Sequence, residues 1–207
     1  MDNKRVSRFV GMAFLCLAVI QPSDLFALQE HARDGWMLGV SLGSGPGKYE
    51  NKRGEASSSE MGDLFTFRVG KMIQPRLLLN AELTAWGRSE KNLLEEELNV
   101  TFKNLALAGT FYPLDRESLL GGVYVRAGIG SGGITTELKL SDASLKYDET
   151  GFGLLLGTGY ELRVTKKFAF GAGVSVDKLS IVSFADSGDV YESAQFIGYA
   201  LDLNWYF

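Results

Sequence analysis

From residue 35 to the C-terminus, bulky apolar residues alternate with small or polar ones, in stretches of about ten. A β-strand sends successive side chains to opposite faces, so each stretch predicts a strand with one greasy face. There are eight such windows: 35–43, 63–71, 76–87, 100–112, 121–130, 150–163, 168–178 and 193–207. In the second, Phe65, Phe67 and Val69 stand opposite Thr66, Arg68 and Gly70. In the third, Leu77, Leu79, Ala81, Leu83 and Ala85 oppose Asn80, Glu82, Thr84 and Trp86. In the sixth, Phe152, Leu154, Leu156, Tyr160 and Leu162 oppose Gly151, Gly153, Gly157, Gly159 and Glu161. The seventh sets Phe168, Phe170, Ala172, Val174 and Val176 against Ala169, Gly171, Gly173, Ser175 and Asp177.

The character of the second face separates two architectures. A water-soluble sandwich keeps its bulky side chains inside and covers its wet face with residues such as Lys and Glu. Here the second face is mostly Gly, Ala, Ser and Thr with a few charges, as if space there were scarce. That suits a narrow barrel with the bulky face in lipid. The expected fold is all-β: an eight-stranded antiparallel up-and-down transmembrane β-barrel.

The connectors alternate in length. Segments 72–75, 113–120 and 164–167 are short, whereas 44–62, 88–99, 131–149 and 179–192 are long. Such alternation matches periplasmic turns on one side and extracellular loops on the other. The loop at 131–149 has a pattern of its own. Ile134, Thr136, Leu138 and Leu140 alternate with Thr135, Glu137 and Lys139, and Ser141-Asp142-Ala143 provides a turn. It predicts that strands five and six continue outward as a protruding hairpin. Of the four prolines, Pro22 falls in the N-terminal leader and Pro46, Pro75 and Pro113 in loops or turns, since Pro cannot donate to a sheet ladder. Trp36, Tyr112, Phe168, Tyr160 and Trp205 lie near strand ends and would supply interfacial aromatic girdles.

The N-terminus reads as a cleaved export signal. Lys4, Arg5 and Arg8 precede an apolar run from Val10 to Ile20, and Leu25-Phe26-Ala27 is a cleavage sequence. The run is too short for a spanning helix, which takes about 20 residues. The expected organisation is a signal peptide at 1–27, a short tail at 28–34 and the barrel at 35–207.

The final strand ends on an aromatic. Tyr199, Leu201, Leu203, Trp205 and Phe207 alternate with small or polar residues and Tyr206, and the chain stops at Phe207. This ending resembles the C-terminal assembly signal of bacterial outer-membrane barrels. With eight windows in about 180 residues after the leader, the chain resembles the small OmpA/OmpX-like outer-membrane β-barrel proteins over residues 35–207. The resemblance implies a bacterial outer-membrane location, folding by the barrel-assembly machinery, contact with outer-membrane lipids and lipopolysaccharide, and a monomer. It also implies roles in envelope integrity, or in surface interaction and adhesion to host or other surface ligands through the loops.

Composition narrows the chemistry. A formal charge of −4 gives no basic patch for nucleic acid. Cys16, the one cysteine, lies within the leader, so no disulfide is expected after cleavage. His31, the one histidine, lies just past the cleavage sequence, before the first strand, where a catalytic dyad is not expected. The glycine run 128–133 is not a phosphate loop, because no helix follows it. No catalytic residue, metal ligand or cofactor is expected. Glu95-Glu96-Glu97, and separately Lys48, Lys52 and Arg53, sit in long loops where they could meet divalent cations or phosphates, or simply face water.

The charges on the inner face remain: Arg68, Glu82, Arg126, Glu161, Asp177 and Asp202. In an eight-stranded barrel the interior is just wide enough for side chains. Charges there are costly unless paired, so an ion-pair and water network plugging the lumen is expected. The leading expectation is a non-enzymatic barrel acting through its loops. A narrow pore for ions or small solutes is the alternative, and a lipid-A-modifying enzyme a more remote one.

Overall fold

The computed structural model describes residues 34–51, 55–91, 97–114, 120–139, 144–181 and 191–207. The leader, the tail up to residue 33, Cys16, His31, Lys52, Arg53, Glu95 and Glu96 lie outside the described residues. All named elements are strands: β1 (Trp36–Asn51), β2 (Glu60–Gln74), β3 (Leu77–Lys91), β4 (Glu97–Phe111), β5 (Val123–Lys139), β6 (Ser144–Arg163), β7 (Phe168–Ile181) and β8 (Tyr191–Tyr206). Each pairs antiparallel with its sequence neighbour, and β8 returns to β1, closing the barrel. Closure leaves no sheet edge along the wall, which is what a sheet surrounded by lipid requires.

The alternation sorts side chains as the windows predict. Leu42, Phe65, Leu83, Leu107, Val125, Leu156, Phe170 and Leu201 point outward and are exposed, while their strand neighbours are buried or half-buried. One-residue slips would exchange the two faces, so the apolar pattern fixes the register. The register runs unbroken from Leu77↔Phe111 to Lys91↔Glu97 and from Val123↔Tyr160 to Lys139↔Ser144.

The strands run further than the windows do. The segments expected as long loops at 44–62, 88–99 and 179–192 contain the outer ends of β1, β2, β3, β4, β7 and β8. These ends are mostly polar, with Tyr49, Leu98, Leu179 and Ile181 turned towards the loop-end core, so their strand character comes from ladder pairing and a few inward contacts rather than from a continuous apolar stripe. Pro46, expected in a loop, lies inside β1, where the ladder to β8 passes from Ser44↔Tyr199 to Gly47↔Phe196. Of the predicted hairpin, β5 and β6 stay paired from Ile134↔Glu149 to Lys139↔Ser144, and the turn with Leu140, Ser141, Asp142 and Ala143 lies outside the described residues. On its other side β5 stays paired with β4 to Glu97↔Lys139, while among the described residues β6 meets β7 from Gly151.

Aromatics gather at the end of the short turns. Phe168 stacks on Trp205 at 6.2 Å, Trp205 lies 5.4 Å from Phe207, and Lys71 sits over Trp36. Tyr112 is not part of this girdle; it is 2% exposed and points into the lumen. Leu162, expected on the outer face, is also buried. Gly35 adopts φ 77°, and Trp36 and Phe207 exchange backbone hydrogen bonds of 2.8 and 2.9 Å, which seals the β1–β8 seam.

Candidate functional site in the barrel lumen

The interior is built in three storeys. At the loop end, Leu64, Trp86, Val100, Phe102, Ile134, Leu179, Ala194 and Phe196 form an apolar cluster. Trp86 stacks on Phe102 at 5.0 Å, and its indole N–H donates to the Gly45 carbonyl at 2.8 Å. The ring lies flat against Gly47 and Gly62, where a Cβ would fall 2.7 and 2.4 Å from it. At the turn end, Met37, Met72, Leu78, Ala169 and Tyr206 form a second cluster.

Between them lies the polar storey, and it contains all six inner charges expected from the sequence. The Arg68 guanidinium pairs with Asp202 at 3.0 Å and donates to Ser41 at 2.8 Å. Ser41 and Tyr124 donate to the two oxygens of Asp202 at 2.5 and 3.0 Å. Arg126 stands 3.2 Å from Glu82, which also accepts from the Asn80 amide at 3.3 Å. Glu161 accepts from Tyr206 at 2.8 Å, from Asn204 at 2.7 Å and from Tyr112 at 3.4 Å. The Asn204 oxygen in turn lies 3.4 Å from Arg68, joining the Asp202 and Glu161 groups. Asp177 stands apart, nearer the loop-end cluster, accepting from Asn104 at 2.8 Å.

The acids are held by Arg, Tyr, Asn and Ser donors, which leaves them committed to wall-to-wall contacts. Several buried atoms, including Asp177 Oδ2, Asn104 Oδ1 and Arg126 Nε, have no hydrogen-bond partner. Buried polar atoms of this kind are normally satisfied by internal water. Among the described residues no three His, Cys, Asp or Glu side chains group as metal ligands.

The model of the outer membrane protein beta-barrel domain matches residues 12–202. The chain belongs to this family. Among solved structures, the barrel is similar to neisserial surface protein A, with a TM-score of 0.55 and 15% identity over 86% of this chain and 100% of that one. It is also similar to the attachment invasion locus protein of Yersinia pestis, solved with a heparin analogue, with a TM-score of 0.50 and 13% identity over 81% of this chain and 99% of that one. At such identities the likeness shows the fold. No curated protein matches the sequence.

Within this outer-membrane barrel, sequence reasoning missed part of the network. Arg163, at the end of β6, is 1% exposed, and its guanidinium lies 3.9 Å over the Tyr206 ring. Its place as the last residue of a window hid it, although its odd position matches that of Glu161. Tyr112, Tyr124 and Tyr206 supply the phenols that hold Glu161 and Asp202. The inner face is also less uniformly small than its pattern implied: Met37, Leu64, Phe102, Leu155 and Phe196 point inward and are buried. Glycines on one wall make room for bulk from another, as where the Tyr124 hydroxyl lies 2.5 Å from a Cβ built on Gly159 or Gly173. The outward face of β8 carries Tyr199, Leu201, Leu203 and Trp205, and Phe207 follows just past the strand, all exposed. Of the loop acids, Glu97 begins β4 and accepts from Ser89 at 2.9 Å. Lys48, expected in a loop, is an outward-facing residue of β1.

Proposed function

We propose that this protein is a non-enzymatic outer-membrane barrel with a plugged lumen, acting through the β5–β6 hairpin in surface interaction and adhesion. The observation that carries this reading is the hairpin itself. Among the described residues β6 extends paired with β5 past Gly151, the last residue at which it pairs with β7. On its other side β5 keeps β4 to Glu97↔Lys139, and Leu145 and Tyr147 are exposed. An exposed aromatic and leucine on a rigid ribbon are the residue types that anchor protein contacts. The attachment role in the name of the Yersinia pestis relative agrees with this reading.

The stacked Trp86, Phe102 and Phe196 and the ion-paired storey beneath them support a closed lumen over a pore. In the same reading, residues 1–27 direct export, the outward row ending at Phe207 is the mark read by the assembly machinery, and the barrel works as a monomer in the outer membrane. The loop end then faces the outside of the cell.

The test combines two readouts on the folded protein. Purified barrel in a planar bilayer should show no steady conductance. Replacing residues 136–147 with a tight turn should leave heat-modifiable gel mobility unchanged and abolish adhesion of expressing cells to host-cell or glycan surfaces. Steady conductance through the wild-type barrel would favour the pore, and adhesion unaffected by the replacement would remove the hairpin from the function.

A further inference from the structure

We propose that the mouth of the barrel is a docking surface for a cationic amphipathic protein segment, seated on the inner face of β4, β5 and β6. This rests on the surface-interaction reading above and names the chemistry of the partner.

Parity places the anchors. Val100 of β4 and Ile134 of β5 are buried in the loop-end cluster, so the even positions of both strands face the lumen. Further out on that face, β4 brings Leu98 and β5 brings Thr136 and Leu138. On β6 the inward positions are odd, as at the buried Leu155, and continue outward as Glu149, Tyr147 and Leu145. The register joins them: Leu98↔Leu138↔Leu145 form one row, and Val100↔Thr136↔Tyr147 the next. Leu145 and Tyr147 therefore do not belong to the lipid-facing wall. They prolong the lumen face beyond the stacked Trp86, Phe102 and Phe196.

The outer end of this face is open. Exposure rises across it from Val100 at 1% to Leu145 at 54% and Tyr147 at 56%. Leu98 and Leu138 between them are half-buried. Apolar groups in such a row lose their water only when another apolar surface is laid over them. A paired sheet already fixes their backbone, so little ordering is left to offset that gain.

Charge selects what is laid there. The loop-end segments 44–62, 88–99, 131–149 and 179–192 carry twice as many acidic side chains as basic ones. The acids reach the mouth itself. Glu60 of β2 and Glu90 of β3 share the inward parity of Leu64 and Trp86, and the single Arg88 pairs with both. An excess of one sign steers the opposite charge to the surface and repels its own. A neutral apolar partner would cover the leucines and ignore the field, and an anionic one would oppose it. A segment with apolar residues on one face and Lys or Arg on the other meets both features.

The experiment measures binding of a synthetic amphipathic Leu/Lys peptide to the full barrel in nanodiscs of zwitterionic lipid, with empty nanodiscs subtracted. At about tenfold for each anchor lost, L145S/Y147S should bind about 100-fold more weakly than wild type. Raising salt from ~0.05 M to ~0.5 M should weaken wild-type binding roughly tenfold. A Leu/Glu peptide of the same pattern, and heparin as a polyanion, should not bind. Both substituted residues are exposed, so the variant should keep its heat-modifiable gel mobility. Wild-type affinity in L145S/Y147S, or equal binding of the Leu/Glu peptide to the wild-type barrel, would overturn the proposal. The hairpin reading fails on a separate readout, the adhesion of cells carrying the hairpin replacement. Adhesion lost there, with the Leu/Lys peptide still bound by L145S/Y147S, would keep the hairpin and reject this partner.

Discussion

At the scale of single residues, the lumen is decided by which charges find partners. Of the buried charges, Arg68, Arg126 and Arg163 are cations and Glu82, Glu161, Asp177 and Asp202 are acids. Asp202 has an arginine, a serine and a tyrosine on its two oxygens, whereas Asp177 has one amide. Removing one member of a buried pair strands the other, which costs roughly 3–5 kcal/mol. Asp202→Asn should therefore destabilise the barrel by about that amount in urea unfolding from lipid vesicles. Asp177→Asn should cost less, roughly 1 kcal/mol, because no guanidinium is left stranded. Equal losses would show that Asp177 has a cationic partner. The six inner charges were legible from alternation alone, because parity assigns the face. Which acid meets which base was not, because partners such as Arg68 on β2 and Asp202 on β8 lie far apart in sequence.

Among the elements, the β5–β6 hairpin depends on local contacts beyond the belt. Thr135 donates to Asp148 at 2.6 Å, and Lys146 pairs with the same carboxylate at 2.8 Å. Hydrogen bonds from Lys146 and Thr135 hold the Asp148 carboxyl below its ordinary value, and Asp148 raises Lys146. A depressed carboxyl stabilises the folded hairpin fully above the unfolded carboxylate pKa of about 3.9, and this is lost as pH falls through the depressed value. Both side chains are exposed, so the contribution is screened by salt. Acidification below pH ~3.9 at low salt should loosen the hairpin, seen as chemical-shift change at Thr135 and Lys146, with the belt strands unaffected. Shifts spread evenly over the belt would contradict a local pair. The hairpin's existence was readable from period-two alternation at 134–140, which continues that of strand five. The outer ends of the other strands were not readable, because their mostly polar sequence, broken by single apolar residues such as Leu98 and Leu179, forms strand there only when a paired neighbour supplies the ladder.

For the molecule as a whole, everything depends on closing β8 onto β1. Gly35 stands at that seam with φ 77°, and a Cβ there would fall 2.3 Å from the Phe207 carbonyl oxygen. A left-handed backbone with a side chain costs roughly 1–3 kcal/mol. Gly35→Ala should lower the fraction of barrel that reaches the heat-modifiable, closed form on refolding, with a matching loss of stability. Wild-type refolding of Gly35→Ala would mean that the seam tolerates the clash by shifting Phe207.

The sequence by itself determined the number of strands, their order, the lipid-facing side of each and six of the seven buried charges named above, all but Arg163. A period of two, repeated eight times, leaves few other ways to bury backbone polar groups in lipid. Tertiary structure alone decided the contents of the lumen: the stacked Trp86, Phe102 and Phe196 at one end, the phenols around Glu161, and Arg163 over Tyr206. It also decided that Leu98, Leu138 and Leu145 stand in one row. Alternation states which face a residue takes, but its height in the barrel and its neighbours across the lumen follow from shear and closure, which join residues far apart in the chain.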